Sequence, residues 1–129
     1  LIETKELFKE NYFDKEIMHI KINNYLINED YHSSFKENIK GDFFCLEIEF
    51  IYISSDYILE IEKILEKFQI KVTQCLDKNY IESFFKNENI ELSQMAFRVQ
   101  NGWNVNEVKL VPKNNKKLGI FEKFFQLFS

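Results

Sequence analysis

The chain has 129 residues, 45% of them apolar, which suits one folded domain with a core and is too rich for a disordered tract. Its net charge of −4 at pH 7 argues against a general nucleic-acid binder, since such proteins present a basic face or stripe. Gly41, Gly102 and Gly119 are its three glycines and each stands alone, so it has neither a phosphate-cradling loop nor a dinucleotide fingerprint, and no nucleotide or other cofactor is expected.

"LIETKELFKENYF" opens the chain as a short helix with Ile2, Leu7 and Phe8 near one face. In "EIMHIKI" Met18, Ile20 and Ile22 alternate with His19 and Lys21. That period of two marks a half-buried strand running on towards Tyr25. "NEDYHSSFKENIKGD" is polar, contains Gly41 and reads as a loop. "FFCLEIEFIYI" is the clearest strand, with Phe44, Leu46, Ile48, Phe50 and Tyr52 on one face and Glu47 and Glu49 on the other. Ser54, Ser55 and Asp56 offer side-chain oxygens as helix caps.

The helix that follows carries Ile58, Ile61, Ile64, Leu65 and Phe68 at helical spacing, a stripe expected to be buried against a sheet. "IKVTQCL" reads as a third strand. Further helices are expected from Lys78 to Phe85 and from Glu91 to Gln100, the second with Leu92, Met95, Ala96 and Val99 inward. Gly102 stands where a helix ends, and "NVNEVKLV" is a short strand stopped by Pro112. The fold class is therefore α+β: a small three- to four-stranded sheet packed by helices, then a helical segment and a C-terminal amphipathic helix.

Constellations that carry chemistry are scarce. Glu47 and Glu49 could imitate an acid–base pair, but two carboxylates on one strand face more often form a solvated edge. His19 and His32 do not suggest a metal site. Cys45 and Cys75 are thirty positions apart without a C-x-x-C, and are expected as free, buried or half-buried thiols in a reducing compartment. No catalytic, cofactor-binding or metal-ligating residue is assigned, and the chain is expected not to be an enzyme. No run approaches the ~18 apolar residues of a membrane span, and no signal-peptide pattern is visible.

The ending, "KKLGIFEKFFQLFS", concentrates what the rest lacks. From Lys109 to Ser129 there are five lysines against one glutamate, or +4, which leaves −8 for the preceding residues. On a helical wheel Ile120, Phe121, Phe124, Phe125, Leu127 and Phe128 gather on one side, with Leu118 leading in. So short a helix is marginal alone in water and needs a surface on which to form. That surface could be the chain's own core, a groove on a partner protein, or a membrane. Lys113, Lys116, Lys117 and Lys123 add attraction to anionic lipid, about 1 kcal/mol per basic residue near the headgroups. Apolar face, basic flank and terminal position together describe an interfacial membrane helix.

Three further stretches, "EIMHIKINNYLIN", "FKENIKGDFFCLEIEFIYI" and "IEKILEKFQIKVTQCLDKNYIESF", together resemble the strand–helix–strand–strand module inserted in FtsA, the actin-like cell-division protein of bacteria. His19, Tyr25 and Asn28 fall where that family has a histidine, an aromatic residue and an aspartate. "CLEIEF" matches its Leu-Glu-Val strand, and "FQIKV" its Gly-Leu-x-Val turn. Ile22 and Asn38 replace prolines of the family, and Gln69 replaces the turn glycine. FtsA proteins also end in a basic linker and a short amphipathic membrane helix, which the ending here resembles, whereas the ATPase lobes and the region that grips FtsZ have no counterpart.

The resemblance implies an interaction module over residues 1–86, a helix and short strand over 87–111, a basic flexible linker over 112–119 and a membrane-targeting helix over 120–129. It further implies a peripheral protein on the cytoplasmic face of the inner membrane, meeting anionic lipid and either other division proteins or copies of itself. The alternative is a soluble interaction domain whose last helix packs on its own core or on a partner.

Overall fold

The computed structural model describes residues 1–35 and 40–109. Its elements run α1 (Ile2–Asn11), β1 (Lys15–Ile27), β2 (Asp30–His32), β3 (Phe44–Ser54), α2 (Ser55–Glu66), α3 (Lys78–Ser83) and α4 (Leu92–Gln100). The strands form one antiparallel sheet in the order β2-β1-β3, which is the expected α+β class. The chain divides into two units, Leu1–His19 with Phe50–Asn104 and Ile20–Glu49 with the segment from Val105, so that β1 and β3 each contribute to both.

In the first unit α1 buries one side chain, Phe8, whose ring meets Phe50 at 4.7 Å and Tyr52 at 5.5 Å. Ile2 and Leu7, expected beside it, are exposed. β3 passes into α2 without a loop, and the Ser55 amide donates to the Asp14 carbonyl at 2.9 Å. The expected capping by Ser54 does not occur: it occupies the cap position, but its side chain makes no capping bond.

Glycine-type turns end two of the helices. After α2 the Gln69 and Ile70 amides donate to the Glu66 and Leu65 carbonyls, with Gln69 at φ 59. After α4 the Gly102 and Trp103 amides donate to Val99 and Arg98, with Gly102 at φ 90. Both are Schellman closures around a left-handed residue, and the second was expected. The core of this unit joins Tyr80, Ile81 and Phe85 around α3 to Val99 on α4, with Leu76, Ile90, Met95 and Ala96 packed against them. Leu92, expected inward, is largely exposed.

Residues 70–76 are not the expected third strand. The segment ends on a side-chain acceptor in place of a ladder: the Asp77 amide donates to His19 Nε2 at 2.9 Å. His19 is only 2% exposed and its ring lies 4.3 Å from that of Tyr80. Periodicity had put His19 on the polar side of β1, yet it is a core residue.

The sheet's third strand comes from the segment read as a loop. Ile27 pairs with Asp30, leaving Asn28 (φ 48) and Glu29 (φ 74) as a two-residue turn. Positive φ at both positions is the type I′ arrangement that matches strand twist. The Asn28 side-chain oxygen accepts from the amides of Asp42 and Phe43, each at 3.0 Å, and so fixes the entry to β3. Gly41 is required there, because a Cβ would collide with Ile27. Of the short strand expected over residues 104–111, the described residues show one bridge, Lys21 to Glu107, flanked by bonds from Ile22 to Asn106 and from Val108 to Ile20.

Ile20, Ile22, Tyr25, Ile27 and Val108 form the buried set of this second unit. Burial along β1 changes phase between Ile22 and Tyr25. Lys21 reaches Glu49 while Asn24 reaches Glu47, three steps on β1 against two on β3. One extra residue is therefore accommodated at Asn23–Asn24, the signature of a β-bulge.

Candidate interaction surface

The sequence of α2, "SDYILEIEKILE", gathers Tyr57, Ile58, Ile61, Ile64 and Leu65 within about 120° of its circumference, with Leu59 set apart. A helix lying on one surface can bury only one side. The unit takes the side bearing Ser55, Ile58 and Glu62, which lines a cavity of about 510 Å³ together with Ile17 and Met18 of β1 and Val72 to Cys75, while Leu59 at its rim stays 50% exposed. Ser55 Oγ is buried there without a hydrogen-bond partner.

The other side faces solvent. Tyr57, Ile61 and Ile64 are 64%, 41% and 57% exposed, and Phe68, in the turn that closes the helix, is 70% exposed. Steps of four, three and four residues place all four in one line. No residue of α2 is buried, so the expectation that Ile61, Ile64 and Phe68 enter the core together with Ile58 and Leu65 is overturned. Ile58 and Leu65, at one edge of the apolar arc, are half-buried, and the rest of the arc is turned away. Periodicity marked the whole arc as the inward face, whereas the packing of α2 beside Ile17, Met18 and Val72 uses only its edge.

The acidic residues weighed as a catalytic pair are held in polar contacts on the sheet. Glu49 is ion-paired with Lys21 at 3.2 Å. A hydrogen bond from Asn23, reinforced by Lys21, keeps its carboxyl below the usual range. Glu47 accepts from Asn24. Neither carboxylate lines the cavity beside α2. Cys45 and Cys75 are free thiols, Cys45 being exposed where a buried or half-buried side chain was expected. Among the described residues no group of three or more His, Cys, Asp or Glu side chains is placed to hold a metal, and no helix is long and apolar enough to cross a membrane. The residues assigned to membrane contact, Lys113, Lys116, Lys117, Leu118, Ile120, Phe121, Lys123, Phe124, Phe125, Leu127 and Phe128, lie outside the described residues.

Compared with known protein families, curated proteins and solved structures, the chain finds no match.

Proposed function

We propose that this chain is a non-enzymatic interaction module attached to a membrane surface by its C-terminal segment. The observation that carries the reading is the line of Tyr57, Ile61, Ile64 and Phe68 left in solvent on α2. Fully burying side chains of this kind stabilises an association by about 1.5–3 kcal/mol each, and contiguous apolar patches on soluble domains mark contact sites. The attachment half is supported by sequence: residues 113–128 combine four lysines with an apolar face of phenylalanines. A place in the bacterial division apparatus rests on the sequence resemblance to FtsA alone.

Co-sedimentation with anionic vesicles tests the attachment. The intact chain should pellet, and a chain ending at Pro112 should stay in the supernatant. Equal pelleting of the two would remove the anchor and leave a soluble interaction domain.

A further inference from the structure

The stripe on α2 has nearly the same pattern in both directions. Tyr57 and Phe68 stand at its ends, Ile61 and Ile64 in its middle. Reversing the helix exchanges aromatic for aromatic and isoleucine for isoleucine. At about 100° per residue, Glu60 and Lys67 lie along one border of the stripe, one in each half, and both are exposed. The reversal that exchanges the apolar pairs brings Glu60 of one helix within two residues, about 3 Å along the axis, of Lys67 on the other, so that a carboxylate comes within reach of an ammonium group.

We propose that the occupant of this surface is a second copy of the chain, held by antiparallel, two-fold pairing of α2 with α2. The proposal rests on the reading of α2 as an interaction surface. Ile61 of one copy packs on Ile64 of the other, Tyr57 on Phe68, and Glu60 lies beside Lys67 on both sides of the axis. A two-fold contact requires one patch complementary to itself, and the combination of stripe and border charges meets that requirement. Burial of the isoleucines and rings drives association, while the border charges set direction. A parallel two-fold pair puts the two copies of this border on opposite sides of the seam, so that Glu60 and Lys67 lose each other as partners.

Sedimentation equilibrium of the full chain at low salt tests this. The expected result is a monomer–dimer equilibrium that Ile61→Asp abolishes. Glu60→Lys and Lys67→Glu should each weaken the dimer roughly tenfold, since each introduces repulsion at two symmetric places. The chain carrying both substitutions should dimerise like the parent, because the pairs re-form with their signs reversed. Circular dichroism confirms that each variant keeps its helices. Dimers indifferent to all these substitutions overturn the proposal. A monomer at every concentration overturns it as well, and solvent labelling then separates two cases. If the stripe stays reactive, the second copy alone is excluded; if it is shielded, the reading of α2 as an interaction surface falls too.

Discussion

Glu29 and Gln69 hold backbone conformations that a side chain disfavours, at φ 74 and φ 59. The left-handed region costs an L-residue roughly 1–2 kcal/mol, and glycine escapes most of that. Glu29→Gly and Gln69→Gly should each raise the urea midpoint, reflecting a gain in stability of about 1 kcal/mol at most, with an unchanged m-value; a lowered midpoint would contradict the turn geometry. Two groups tie stability to pH. The carboxyl of Glu49 is held low by Asn23 and then by Lys21. Its contribution is therefore present above the ordinary carboxylate pKa and lost as pH falls through the lowered one. Glu49→Gln should flatten the acid side of a stability–pH curve, by little, because the pair is half-exposed. Burial pushes the phenol of Tyr25 up, so its contribution is intact below the ordinary tyrosine pKa and fades as pH climbs towards the raised value. Tyr25→Phe should flatten the alkaline side, and an unchanged curve would show that the ring is not buried in solution.

Helices of similar composition serve opposite ends here. Ile81 on α3 is 2% exposed within the cluster of Tyr80, Phe85 and Val99, so Ile81→Ala should cost about 2–5 kcal/mol. Ile64→Ala, on the outer stripe of α2, should change the stability of the monomer by no more than about 0.5 kcal/mol. Comparable losses in urea unfolding would mean that the stripe is covered. The same contrast shows what the sequence could convey. The alternation in β3, the helices α3 and α4 and the Gly102 closure were legible, because local spacing decides them. The turn at Asn28–Glu29 was hidden, since its second position lacks the glycine that usually announces a type I′ hairpin. Residues 70–76 have the composition of a strand but no strand beside them, and pairing is a tertiary property. The candidate surface was half legible. Ile61, Ile64 and Phe68 stood out in a stripe and Tyr57 did not, while their orientation depended on which side of α2 the cavity with Ile17, Met18 and Val72 would claim.

At the scale of the whole molecule, the chain couples an apolar helix surface to a basic, phenylalanine-rich ending. Phe124→Asp combined with Phe125→Asp should abolish pelleting on anionic vesicles, because charge replaces the rings that would enter the headgroup region. Added salt should weaken the binding of the unaltered chain by screening its lysines; binding insensitive to both changes would place the attachment elsewhere. The turn at Gln69 has an architectural effect on such adhesion. By stopping α2 after twelve residues it limits the greasy strip to about 18 Å, all of which one reciprocal handshake of the kind proposed would consume. Such pairing would leave none of the strip for a third copy, and stoichiometry would halt at two. Each couple would grip the bilayer with a pair of feet, and such bivalency can strengthen hold by about 10²–10⁴ without any new contact.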